Sequence, residues 1–381
     1  MTLATLALII AVGLCGPVLA APRALGIPVV VGELIAGVIV GDTGVRWVHP
    51  AEPTLSFLAA AGFALVMLAA GSHVPVNDQH LIPSLRAGAG LAIVCGVAAL
   101  PMGYLVARLS NTHHGLLYAV LIASSSAALV LPVLEQSRST SSTTLSTVAQ
   151  VAIADTVCIV ALPLAEQPSK AGHAALGALA VLGVAAMIYL IAREFSRRGW
   201  IARLHRLSKE RNFGLELRYN LIIVFGLAGL AASVGVSVML AGFASGIVLA
   251  ARGEPRRLAR QLFALTDGFL APVFFVWLGA SIDLRSLSGH PRMLGLAGLL
   301  SVATIVAHST AKALGQPWSL ALMSGAQLGV PVAAATIGAK AHLLVPGEGG
   351  AILLAGLVSV GVTNVASRRL GTVVAAPAAD T

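Results

Sequence analysis

Thirteen apolar stretches, each close to the length that crosses a bilayer, follow one another along this chain of 381 residues. They run near 3–20, 27–41, 54–71, 87–107, 115–134, 144–164, 173–192, 219–233, 236–251, 262–282, 293–311, 318–339 and 349–367. Roughly 20 apolar residues in a helix span the hydrocarbon core. Backbone groups in hydrocarbon must find partners within their own segment, so such stretches read as helices. The expected fold class is therefore an all-α membrane protein with about 13 transmembrane helices. Composition agrees: 57% of residues are hydrophobic and 10% are charged, against about 25% charged in soluble domains. Lipid, rather than water, has to cover most of the surface.

Charge placement sets the expected orientation. With the N-terminus outside, 18 of the 24 Lys and Arg fall in inside loops. Inside loops of membrane proteins collect positive charge, so the chain reads as multi-pass in the cell membrane, N-terminus out and C-terminus cytoplasmic. The same rule absorbs the net charge of +9, and no nucleic-acid partner is expected. Residues 1–20 lack the basic start of a signal peptide and read as a retained first helix. Cys15, Cys95 and Cys158 lie in apolar segments with no disulfide or metal-ligand spacing. No phosphate-binding glycine loop and no Ser-His-Asp set is legible. The chain is thus not expected to be an enzyme, nor to hold a cofactor, resident metal or nucleotide.

The two halves of the chain are similar. Gly32–Gly41 in segment two matches Ala241–Ala250 in segment nine, and Phe63–Gly71 in segment three matches Phe274–Ile282 in segment ten. Matching segments lie seven apart and so cross in opposite directions, which defines an inverted repeat, a signature of secondary transporters. Segment five then pairs with segment twelve. The first carries Ser124, Ser125, Ser126 and Pro132; the second carries Ser324, Gly325, Gln327, Gly329 and Pro331. Paired helices interrupted in mid-membrane point to a substrate site, because unwound backbone frees carbonyls and exposes helix ends as partial charges.

Asp155 is the clearest charge within a segment, midway along Val151–Pro163. An Asp at a helix centre costs about 2.5–3.5 kcal/mol to insert, so it is kept for a use. A carboxylate there holds a proton or a cation but not both, and that competition suffices for exchange. Glu33, Thr156, His308 and Gln327 are further candidates for coupling or lining. Lys312 is expected at the cytoplasmic end, and His113, His114 and His173 as solvated loop residues.

Several of these stretches resemble the monovalent cation:proton antiporter 2 family. Pro28–Gly37 is similar to its Pro-x-Val-x-Gly-Glu motif, Ala271–Asp283 to its Phe-Phe-x-x-x-Gly-x-Ser-Ile-Asp stretch, and Ser124–Leu134 to its broken helix. Asp155 falls on the family's ion-carrying aspartate. The resemblance implies the sodium/proton antiporter fold with two crossed broken helices, a homodimer, and elevator-type alternating access. It implies scaffold helices over 1–75 and 216–285, core helices over 84–165 and 288–368, a linker helix over 172–194, a basic cytoplasmic loop over 195–215 and a short tail over 369–381. Asp155 with Ser124, Ser125 and Ser126 would bind the cation or proton.

Two departures from the pattern stand out. Ala154 replaces a polar neighbour of the aspartate, and Ala303 or Thr304 stands where the family's lysine would fall. One carboxylate trading one cation for one proton implies electroneutral exchange, unless His308 takes the lysine's place or ion coupling is lost. A nucleotide-binding regulatory domain in the same chain is not expected. Two other functions fit the sequence less well: a sodium-coupled organic solute symporter, which would need a wider cavity, and a non-transporting membrane protein.

Overall fold

The computed structural model describes residues 1–22, 29–72, 81–136, 141–166, 171–211, 213–252, 256–282, 285, 287, 289–341 and 343–374. The resemblance positions Pro28 and Asp283, and the basic residues Arg23, Arg138 and Lys170, lie outside the described residues. Among the described residues, ten helices are long and apolar enough to cross a membrane, and two shorter apolar ones, Val29–Val40 and Val238–Arg252, join them. The thirteenth segment is the broken pair at 115–136.

The helices form two interlocked groups. The first is α1 (Leu3–Gly13), α2 (Cys15–Ala20), α3 (Val29–Val40) and α4 (Pro53–Ser72), packed on α11 (Leu215–Ser233), α12 (Val238–Arg252), α13 (Arg256–Leu265) and α14 (Ala271–Ala280). A π-helical turn, Thr266–Leu270, joins α13 to α14. The second group begins with α5 (Leu81–Leu109), α6 (Gly115–Ala123), α7 (Ala127–Gln136) and α8 (Ser142–Glu166). They pack with α15 (Pro291–Ser309), α16 (Trp318–Ser324), α17 (Gly329–Lys340) and α18 (Glu348–Val374). α9 (Ala171–Arg197) touches both groups and leads into α10 (Trp200–Arg211).

The inverted repeat is visible in who packs on whom. α3 lies on α14, and its repeat mate α12 lies on α4. Both crossings depend on glycine. A Cβ on Gly37 would collide with the carbonyl of Val276, and one on Gly279 with that of Leu34; Gly71 and Gly246 stand in the same relation to Phe243 and Leu68. Without a hydrophobic drive between helices in lipid, such backbone approach is what holds them. The mates α4 and α14 meet through Phe63 and Phe274, whose rings stack at 4.8 Å.

Candidate functional site

Each repeat breaks one helix of the second group. α6 ends at Ala123 and α7 begins at Ala127; α16 ends at Ser324 and α17 begins at Gly329. The unwound pieces meet in the middle of the group. The Ser125 hydroxyl donates to the carbonyl of Ser324, so the first break helps cover exposed backbone of the second.

Asp155 projects from α8 onto the start of α7 and is 2% exposed. Its Oδ2 accepts the backbone N–H of Ala127 at 2.9 Å. The first amides of a helix carry partial positive charge, so α7 presents its favourable end to this carboxylate. Oδ1 makes no hydrogen bond among the described residues. Ser126 immediately precedes the amide that Asp155 binds and its carbonyl opens the helix by accepting from Val130. The Ser124 hydroxyl turns back to Leu121 O at 2.8 Å. Thr156 donates to Ala152 O at 2.7 Å on its own helix.

His308 and Gln327 converge on the other side of the crossing. His308 Nε2 lies 3.2 Å from Ile122 O, and Nδ1 lies 3.0 Å from the Ser324 hydroxyl. A carbonyl only accepts, so Nε2 carries a proton. Gln327 Nε2 donates to Thr304 Oγ1 at 3.1 Å and reaches Ile122 O at 3.5 Å. Its backbone N–H donates to Ser359 Oγ at 2.9 Å. Ile122 is in the last turn of α6, where carbonyls carry partial negative charge. Imidazole and amide donors therefore cover a helix end that a cationic side chain would otherwise serve. Thr304 thus belongs to the crossing as Gln327's acceptor.

Glu33 is placed elsewhere. It is buried in α3, with its stem against Gly16 of α2, and lies within electrostatic reach of Asp267. Among the described residues it makes no hydrogen bond at the crossing.

Gln150 and Gln316 were not singled out in the sequence. Gln316 Nε2 donates to Gln150 Oε1 at 2.7 Å and to Thr147 Oγ1 at 2.8 Å, and Gln150 Nε2 reaches Ser324 Oγ at 3.3 Å. The ladder ends beside a cavity of about 270 Å³ at the edge of the group, lined in part by Arg86, Thr143, Ser146 and Gln316. An uncharged Gln five residues before Asp155 in an apolar helix was the available signal. His114 is not a plain solvated loop residue, since its Nδ1 pairs with Glu348 Oε1 at 2.7 Å. Lys312 lies over the ring of Trp318, 4.6 Å from its centre.

Two opposed broken helices crossing in a membrane bundle, with a buried carboxylate at one helix N-terminus, define the architecture of secondary ion transporters. The chain belongs to the family described as sodium/hydrogen exchanger, transmembrane, which it matches over residues 7–368. It is 23% identical over 287 residues to the Na(+)/H(+) antiporter of Enterococcus hirae, covering 74% of each chain. It is 28% identical over 305 residues to the glutathione-regulated potassium-efflux system protein KefC of Cronobacter sakazakii, covering 77% of this chain and 48% of KefC. Against YjbQ of Bacillus subtilis it is 24% identical, covering 97% of this chain and 63% of that one. The chain thus spans less than two thirds of YjbQ and about half of KefC. The sodium proton antiporter MjNhaP1 of Methanocaldococcus jannaschii shares the fold, with a TM-score of 0.64 at 17% identity over 97% of this chain and 98% of that one.

Proposed function

We propose that this protein exchanges a monovalent cation, sodium or potassium, for protons, with Asp155 as the shared site. The observation that carries this reading is the state of the Asp155 carboxylate. One oxygen is fixed by the Ala127 amide and the other makes no hydrogen bond among the described residues; Ser126 immediately precedes that amide, and Ser124 and Ser125 are buried in the same helix break. A cation entering there meets one full negative charge; a proton on the same carboxylate removes it. No second Asp or Glu among the described residues hydrogen-bonds at the crossing, so one cation exchanges for one proton and the cycle is electroneutral.

The second group of helices carries the site and moves against the first in an elevator-type cycle. Met67 and Met239 of the first group meet Gly329 at the start of α17. Flexible thioethers suit a surface that must repack as one group slides past the other. The protein works as a homodimer in the cell membrane, N-terminus outside and C-terminus cytoplasmic. The organic solute reading gains no wide cavity at His308 or Gln327. The cavities touching His308 and Gln327 each hold only about 10 Å³, room for about one water-sized occupant.

The test is proton flux in proteoliposomes, read by a pH-sensitive dye on adding sodium, potassium or lithium. Wild type should dissipate the gradient with one of these ions and Asp155→Asn should not. The rate should be unchanged when the membrane potential is clamped. Silence of the wild type towards all three ions across a range of pH would sink the reading.

A further inference from the structure

α9 and α10 end and begin around Gly199, whose φ of +72° puts it in the left-handed region. Its N–H closes on Ser196 O, and its carbonyl accepts from Arg203 to open α10. This turn ends α9 and is followed by a separate 12-residue helix. The buried Ser208 accepts the N–H of Leu215 at 3.2 Å, which fixes the roll of α10 against the start of α11.

With that roll fixed, α10 turns an apolar stripe away from the protein. Trp200 is 60% exposed, Leu204 38% and Leu207 43%. At 3.6 residues per turn these three fall within about 60° of arc. Phe195, from the end of α9, extends the stripe by stacking on Trp200 at 5.7 Å. Arg203 and Arg206 are exposed on the neighbouring arc, and Arg211 is exposed at the far end of the stripe. Between residues 193 and 218 the chain carries eight Lys and Arg against three Glu.

An apolar stripe with flanking arginines, at the end of a spanning helix, has one neighbour whose chemistry matches both parts. Acyl chains take the stripe, and anionic headgroups take the guanidinium groups. We propose that α10 lies in the membrane–water interface as a docking helix for anionic phospholipid. The arginine stems run along the apolar surface while their charges meet phosphate. The helix thereby ties the junction between the two repeats to the bilayer surface. This inference does not rest on the identity of the transported ion.

Full-length protein is reconstituted in nanodiscs of phosphatidylcholine with or without phosphatidylglycerol. Cys15, the exposed cysteine, is changed to Ser, leaving the buried Cys95 and Cys158. A fluorophore is placed through Leu204→Cys or, as a control on the charged arc, Arg206→Cys. With phosphatidylglycerol present, the label at 204 should be shielded from aqueous iodide several-fold more than the label at 206. Omitting phosphatidylglycerol should reduce that shielding, as should Arg203→Gln with Arg211→Gln, by roughly fivefold in lipid preference for each arginine neutralised. Equal iodide access at 204 and 206 would overturn the proposal. So would shielding at 204 that ignores phosphatidylglycerol, or that appears only at protein concentrations where two copies associate. Because the readout is optical, it stands whether or not cation exchange is detected.

Discussion

The carboxylate of Asp155 and the backbone N–H of Ala127 meet at 2.9 Å, joining the middle of one membrane helix to the first residue of a half-helix. The bond gives the acid a fixed address with one oxygen to spare. An amide in its place can still accept from Ala127. Asp155→Asn is therefore expected to fold with a melting temperature close to wild type while losing cation-driven proton flux by at least a hundredfold. A large drop in thermal stability with residual flux would show that the acid is structural.

Gln327→Leu removes a donor from Ile122 O and from Thr304 without removing bulk. Ile122 O keeps its His308 donor while Thr304 Oγ1 loses its Gln327 donor, and a buried group left unpaired costs about 1–3 kcal/mol. If the crossing shapes the ion site, the apparent KM for the cation should rise about tenfold, with the maximal rate less affected. Initial rates against cation concentration would show this.

His308→Ala strips Ile122 O and the Ser324 hydroxyl of a shared partner and opens a buried void. Destabilisation of about 2–4 kcal/mol is expected. His308→Gln, which restores a donor, should recover part of it. Thermal unfolding in detergent checks the order wild type, Gln, Ala.

Gly279→Ala should destabilise the first group by about 1–3 kcal/mol, because the new methyl meets the carbonyl of Leu34. Gly298→Ala in α15 has nothing within 4 Å of the added methyl. It should be neutral or gain up to about 1 kcal/mol in helix propensity. Equal melting temperatures for the two would contradict the close backbone approach of α3 and α14.

His114 and Glu348 give a pH dependence to stability. The hydrogen bond to Glu348 raises the His114 pKa above its usual value, with burial opposing. Tyr118 donates to the same Glu348 oxygen at 2.6 Å, and the amide of Val345 to the other at 2.9 Å. A raised pKa means that the pair's stabilisation is complete below the ordinary histidine value of about 6.5. It is lost as pH climbs through the higher value in the folded protein. Melting temperature should fall over that interval in wild type and stay flatter in His114→Asn.

Features legible in the sequence and features set by the fold divide along a physical line. Span count, the two interruptions and the presence of a lone acid at Asp155 were legible because hydropathy, Gly/Pro/Ser chemistry and an isolated charge are local properties. The sequence places glycines in segments two, three, nine and ten. It did not say that Gly37 would find Gly279 while Gly246 found Gly71, since that choice depends on how the repeats fold back on each other.

Glu33 and Asp155 look alike in sequence, as lone acids in apolar helices. Folding sends the first against Gly16 and the second to the mouth of α7. Ser125 and Ser324 lie 199 residues apart, and His308 and Ile122 lie 186 apart. No local rule pairs them. The sequence by itself determined a membrane bundle with an inverted repeat and a buried acid at a broken helix. Only the tertiary structure decided which donors cover each broken helix end. Hydrogen bonds are satisfied by whatever lies within about 3 Å in space, whatever its distance along the chain.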